Sequence, residues 1–197
     1  HSDTSAFADR VYRVCILCVG HDLHIKVRWR RPRQKCMRDR GTANTVAFAR
    51  NPMTCAVTAW DLQRLSNGRF ILGLGTQIKP HITKRYSEPW SRPAARMREY
   101  IAALHAIWDN FQTGEKLDFR GEFYTHTLMT PFFSPGALEV DRPKIFVAGV
   151  GPKMVETIGH SADGFFVHPF HTPDHMEAET LPVLSAAARS AGRVDNA

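Results

Sequence analysis

The stretch Lys144–Gly164, KIFVAGVGPKMVETIGHSADG, constrains the fold more than any other part of the chain. Ile145-Phe146-Val147-Ala148 is an apolar run of strand length and strand composition. It ends in Gly149-Val150-Gly151-Pro152, and Pro152 suits the first position of a helix, where its missing N–H is not needed. Lys153–His160 continues as that helix, and Ala162-Asp163-Gly164 turns the chain into a second apolar run, Phe165-Phe166-Val167. The unit is strand, glycine loop, helix, strand. Glycines at the end of a strand let backbone N–H groups and the positive end of a helix approach an anion, so a phosphate site is the first functional expectation.

The same grammar recurs upstream. Thr42–Phe48 reads as a strand of small and β-branched residues. Asn51-Pro52 is a helix start, Met53–Leu65 the helix, and Asn67-Gly68 its end. Phe70–Gly75 is a short buried strand with glycines at its far end, and a polar loop with Pro80 and Pro89 fills Thr76–Ser91. Pro93–Phe111 is a strong helix: Met97, Ile101, Leu104, Trp108 and Phe111 form one apolar stripe, and Gly114 closes it. Leu117–Met129 alternates around Arg120-Gly121-Glu122, which predicts a β-hairpin insert, and Pro173–Ser190 reads as a last helix.

Repeated βα units place the chain in the α/β class, with a parallel sheet under helical cover. A doubly wound sheet and a (β/α) barrel both satisfy that order. The barrel is favoured by where the unusual residues fall. Phe48-Ala49-Arg50-Asn51, Gly73-Leu74-Gly75-Thr76, Gly149-Val150-Gly151 and His168-Pro169 all lie at or just past strand ends, and in a barrel they would meet on one rim, where barrel active sites sit.

With these strand ends in view, the chain resembles the bacterial luciferase-like superfamily, with the coenzyme F-420 (deazaflavin) dependent oxidoreductases as the most similar branch. The segments that carry the resemblance are Gly41–Gly75, Met97–Trp108, Gly121–Pro131 and Lys144–Pro169, in the family's order. The resemblance implies a (β/α)8 TIM barrel, present here in part. It also implies a cofactor at the rim, coenzyme F-420 or FMN, and hydride transfer or monooxygenation on a small organic substrate. By position it assigns the ring support to Ala47 and Phe48, near a non-prolyl cis peptide, and the close approach of the ring to Gly73 and Gly75. It assigns the phosphate to the turn Gly149, Val150, Gly151, Pro152, Lys153 and Met154. Gly73 and Gly75 either admit the ring or only close a turn. Lys153 either neutralises a phosphate or is a solvated helix residue, and His168 either faces the cofactor or satisfies its own turn. Gln77 and His81, in the long loop, are candidate substrate contacts. Trp60, Trp90 and Trp108 read as packing. No catalytic acid or base is assigned.

Residues 1–40 do not fit the pattern. They carry ten Lys+Arg against four Asp+Glu, so most of the chain's net charge of +7 sits there. Arg28-Trp29-Arg30-Arg31-Pro32-Arg33 reads either as a nucleic-acid patch or as a solvated, disordered tail, and the second is favoured because no recognition fold surrounds it. The abrupt join near Gly41 is what a shifted reading frame or false start would produce, so the domain is expected over 41–197. Cys15 and Cys18 form a C-x-x-C, but Cys36, His21 and His24 do not complete a zinc-site spacing, and no metal is expected. Cys55 reads as a buried small residue. Reduced thiols, no signal peptide in the first 20 residues and no apolar run near the roughly 20 residues of a membrane span point to a cytoplasmic protein. A start at His1 and an end after the sixth strand and its helix are expected of a fragment, and a homodimer is expected only of a full-length family member.

Overall fold

A computed structural model describes residues 40–42 and 44–193. The basic cluster, the Cys15–Cys18 pair, Cys36, His21 and His24 lie outside the described residues. Arg40–Gly41 (β1) and Thr45–Val46 (β2) are short strands that both pair with Phe70–Gly75 (β3). Helix Pro52–Ser66 (α1) joins β2 to β3, and helix Pro93–Thr113 (α2) follows the long loop. Phe119–Arg120 (β4) and Thr125–His126 (β5) form the expected antiparallel hairpin. Lys144–Ala148 (β6), helix Pro152–Ser161 (α3) and Gly164–Phe166 (β7) come next. The last helical stretch comprises Pro173–His175 (α4), a wide turn Met176–Thr180 and Leu181–Ser190 (α5).

Every pairing among β1, β2, β3, β6 and β7 is parallel; β1 and β2 both pair with β3, and the sheet then runs β3, β6, β7 in chain order. The helices follow suit: α1 packs on α2, α2 on α3, and α3 on α5. A doubly wound sheet would reverse its order at a switch point. The monotonic order here is that of an arc of a TIM-type barrel, present in part.

Alternation along the strands fixes the two faces of the arc. Leu72, Leu74, Ile145, Val147 and Phe165 are buried in one core with Ile101, Leu104, Trp108, Val155 and Ile158 of the helices. The stripe predicted on α2 is wholly buried. Trp60 and Trp108 stack at 6.4 Å, and their indole N–H groups donate to the carbonyls of Gly136 (2.9 Å) and Ala56 (3.1 Å), so both are packing residues, as expected. The caps also match: the Asn51 side chain accepts from the Met53 N–H at 2.8 Å, Asn67 ends α1 in the left-handed region, and Gly114 ends α2 there.

Three segments differ from expectation. Thr42–Phe48 is not one strand. Gly41 faces Ile71 while Thr45 faces Leu74, so one extra residue bulges out between them. The Thr42 hydroxyl fills the gap in the ladder: it accepts from the Gly73 N–H at 3.0 Å and donates to the Gly73 carbonyl at 3.1 Å. Thr76–Ser91 contains a wide turn, His81–Arg85, because Ile82 is drawn fully into the core. The helix expected over Pro173–Ser190 is interrupted just before Pro182, which has no N–H to continue the ladder and whose ring crowds the preceding turn.

Candidate functional site

The register sets the rim. Val46 pairs with Gly75, Gly75 with Ala148, and Ala148 with Phe166, so the main strands finish at one level. The segments that emerge there are Ala47–Ala49, the loop from Thr76, the turn from Gly149, and Val167-His168. These are the four strand ends that the sequence singled out.

Ala47 and Phe48 do not offer side chains to the rim. Both are fully buried in a single 3-10 turn, closed by the Arg50 N–H donating to the Ala47 carbonyl at 3.0 Å. The cis peptide expected near this turn is not found: all peptide bonds among the described residues are trans. Any ligand at this corner would meet backbone. Behind the turn, the Phe48 ring packs edge-on against Trp90 at 5.9 Å and under the Arg96 guanidinium at 4.5 Å.

Gly73 and Gly75 are both buried, and each is a site of close approach. A Cβ on Gly73 would strike the Thr42 carbonyl oxygen and come within 2.7 Å of the Phe166 ring. A Cβ on Gly75 would strike the Asn44 side-chain amide. Phe166 in turn tilts against Phe146, with centroids 5.4 Å apart, and both rings are half-buried on the inner face of the arc. The glycines thus close the bulge and seat these rings, which is a packing role present in the chain itself.

The Gly149 turn is built differently. Gly149 lies against the Met154 side chain, so Met154 is partly buried as packing. Gly151 is the N-cap of α3, has no capping side chain, and has nothing within 4 Å of where a Cβ would be. Met154 and Val155 N–H groups both donate to the Gly151 carbonyl, at 2.9 and 3.0 Å. Pro152 has no N–H, and the Lys153 N–H has no acceptor among the described residues. The first turn holds no acid, while Lys153 is exposed beside it and Val150 is exposed above it. An uncapped helix start with a lysine and open space attracts an anion through its free N–H and its dipole.

His168 is exposed, and its Nδ1 accepts from the Phe170 N–H at 3.3 Å; its ring sits 5.1 Å from Phe170 and 6.3 Å from His171. Gln77 and His81 are exposed in the loop, Gln77 in the left-handed region at φ 60°. Among the described residues no hydrogen bond or ring contact ties either of them to the Gly149 turn. No group of histidine, cysteine and carboxylate residues suited to a metal occurs among the described residues. Cys55 is buried as expected, and desolvation pushes its thiol up, away from the thiolate.

Sequence reasoning missed the polar cluster behind the rim. Glu99 accepts three backbone N–H groups of the hairpin, from Glu122 at 2.9 Å and from Phe123 and Tyr124 at 2.7 Å each. Gly121 must be glycine for that carboxylate to fit. Arg92 pairs with Glu122 and lies 5.0 Å over Phe123. Arg96 donates to the Tyr124 hydroxyl at 2.8 Å and to the Pro89 carbonyl at 2.7 Å. Burial pushes the Tyr124 phenol up, and the Arg96 guanidinium opposes that rise. The only local signal was the pair Arg96 and Glu99 on one face of a helix; their partners lie beyond any local window.

The sequence profile of the luciferase-like monooxygenase family matches residues 40–197. The chain belongs to the luciferase-like monooxygenase family. An uncharacterized protein of Mycobacterium tuberculosis (strain ATCC 25618 / H37Rv) is 52% identical over 153 residues, covering 78% of this chain and 45% of that protein. A phthiodiolone/phenolphthiodiolone dimycocerosates ketoreductase of Mycobacterium sp. (strain JLS) is 33% identical over 153 residues, covering 78% of this chain and 39% of the relative. This luciferase-like chain therefore spans less than half the length of the curated relatives it matches. Among solved structures, an F420-dependent secondary alcohol dehydrogenase in complex with an F420-acetone adduct aligns with a TM-score of 0.67 at 21% identity, covering 78% of this chain and 45% of the other. A type II Baeyer–Villiger monooxygenase of Pseudomonas putida, in complex with FMN, aligns with a TM-score of 0.59 at 18% identity, covering 77% and 44%. At such identities the likeness is one of fold. No helix among the described residues is long and apolar enough to cross a membrane.

Proposed function

We propose that residues 41–197 form part of the cofactor rim of a luciferase-like oxidoreductase, with the phosphate of coenzyme F-420 held at Gly149–Met154. The observation that carries the reading is the bare start of α3: an open space at Gly151, an unpaired Lys153 N–H and no acid in the first turn. The residues present fit an anionic group there. Lys153 supplies the balancing charge, and the Gly149 backbone keeps the turn tight against Met154. The Ala47–Phe48 turn and the strand end at Ala148 present backbone and a small side chain at the rim, which suits one face of a planar ring. His168, past the next strand end, faces the same rim in this reading, and Gln77 and His81 lie on the substrate side. Bound there, a deazaflavin or flavin would supply the hydride or electrons. The chain's own part is to bind, orient and shield.

The deazaflavin is favoured over FMN by the sequence of the Gly149–Met154 turn, and a ketone or the corresponding alcohol as the reacting group fits the name of the ketoreductase relative. Titration of the chain with F-420, followed by its fluorescence, tests the reading, with FMN as the parallel arm. Saturable quenching in the micromolar range is expected, weakened about tenfold by Lys153→Ala, on the scale of one lost charge-assisted contact. No quenching by either cofactor at high micromolar concentration rejects the proposal. Turnover with a small ketone and reduced F-420 is the second measurement, and binding without turnover marks the chain as a cofactor-binding fragment.

A further inference from the structure

The corner of the rim at Ala47–Ala49 has a buried cation behind it. Arg96, on the first turn of α2, is 7% exposed. Among the described residues no carboxylate forms an ion pair with it. Burying a guanidinium is costly unless its N–H groups are hydrogen-bonded, as two of them are here. The geometry shows what the buried fork holds. The guanidinium carbon lies 4.5 Å from the centre of the Phe48 ring and 5.5 Å from that of Tyr124. Its Nε–H and Nη1–H reach the Tyr124 hydroxyl and the Pro89 carbonyl. Four segments meet on this one planar fork: the strand-end turn, the loop before α2, α2 itself and the hairpin. Trp90 packs against Phe48 as well, so that ring has two partners besides its own turn. The three N–H groups gathered by Glu99 hold the hairpin, and with it Tyr124, on α2.

We propose that Arg96 is a positioning residue for the cofactor rim, holding the Ala47–Ala49 turn in place through the Phe48 ring, with Glu99 and the hairpin as its support. The cofactor part rests on the reading of the rim given above. The role calls for arginine: a flat fork can stack on Phe48 while donating sideways to two fixed oxygens, and a lysine ammonium cannot do both. The hairpin insert is then part of the support of the rim and not a surface appendage.

Two measurements on the full chain, with Arg96→Met and Arg96→Lys, test this. The first needs no cofactor. The Arg50 amide closes the turn through its bond to Ala47, and its hydrogen exchange in R96M is expected to rise tenfold or more. Amides of α1 and β6 should stay at wild-type rates, while the thermal midpoint falls modestly because the Tyr124 hydroxyl and the Pro89 carbonyl lose their donor. The second is the F-420 titration, in which R96M should lose affinity tenfold or more and R96K recover only part. Wild-type exchange at Arg50 in R96M overturns the proposal. So does a rise in exchange spread equally over α1 and β6, which a merely structural role would produce, and so does full recovery by R96K. Failure of the wild-type chain to bind F-420 or FMN refutes the cofactor reading by itself, while the exchange result still decides whether Arg96 holds the turn.

Discussion

The two faces of the sheet use the same strands for opposite ends. On the helix side, Leu72, Leu74, Ile145, Val147 and Phe165 are buried in a continuous core. On the inner side the alternate positions are Gly73, Gly75, Phe146, Ala148 and Phe166, small residues and half-buried rings. The outer face is buried against helix side chains. The inner face is closed over Gly73 and Gly75 by Thr42, Asn44 and Phe166, and at the rim space opens at Gly151, at the start of α3. Three of the candidate glycines (Gly73, Gly75 and Gly149) are occupied by the chain's own atoms, whereas Gly151 opens onto free space. That contrast separates glycine that serves packing from glycine that leaves room for a ligand.

The contrast can be broken most directly on the outer side. Trp108→Ala removes a ring stacked on Trp60 and its bond to the Ala56 carbonyl, and about 3–5 kcal/mol of stability should be lost in urea unfolding. On the inner side, Gly73→Ala forces a methyl into the Thr42 carbonyl and the Phe166 ring, with an expected loss of about 2–3 kcal/mol by the same measurement. A loss below about 0.5 kcal/mol would mean that the inner face gives way freely, and the packing account of Gly73 would fail.

Acid sharpens the comparison from the helix layer. Burial pushes His105 down to about 4, with Arg142 and Arg193 adding to the shift and its Nε2 left without a partner. The unfolded chain takes up this proton near pH 6.5 and the folded chain only near 4. Stability contributed by the neutral imidazole is therefore present above pH 6.5 and lost as pH falls towards 4, by at most roughly 3 kcal/mol. In His105→Gln the slope of unfolding free energy against pH over that window should flatten. The smallest effect belongs to the rim. Gly151→Ser should stabilise by a few tenths of a kcal/mol, because a hydroxyl can cap α3 where no side chain does so now. The same substitution should weaken F-420 binding, since that hydroxyl competes for the open N–H. A rim variant that gains both stability and affinity would contradict the division between the faces.

How much of this was legible beforehand depended on how far each residue's partner lies along the chain. Asn51-Pro52, the α2 stripe, the hairpin around Gly121 and the glycine turn before Pro152 carry local signals, and all appear where the sequence puts them. The broken strand at Thr42 was not legible, because a side chain replaces the backbone there and its partner is 31 residues away. The clamp of Glu99 on Tyr124 N–H spans 25 residues, and that of Arg96 on the Tyr124 hydroxyl 28. Nor does composition reveal that Phe48 faces inward; only the packing of Trp90 and Arg96 on its ring does.

The monotonic order of strands and helices has a consequence for how damage spreads. Each βα unit packs on the unit before it and the unit after it, so helix contacts in the arc run mainly between neighbours along the chain. A lesion in α1 should be felt in α2 and hardly in α5. The Arg96 cluster is the exception, tying the β2 end, the loop and the hairpin across that neighbour-to-neighbour plan. It gives an otherwise modular arc one point where distant parts of the chain share a fate.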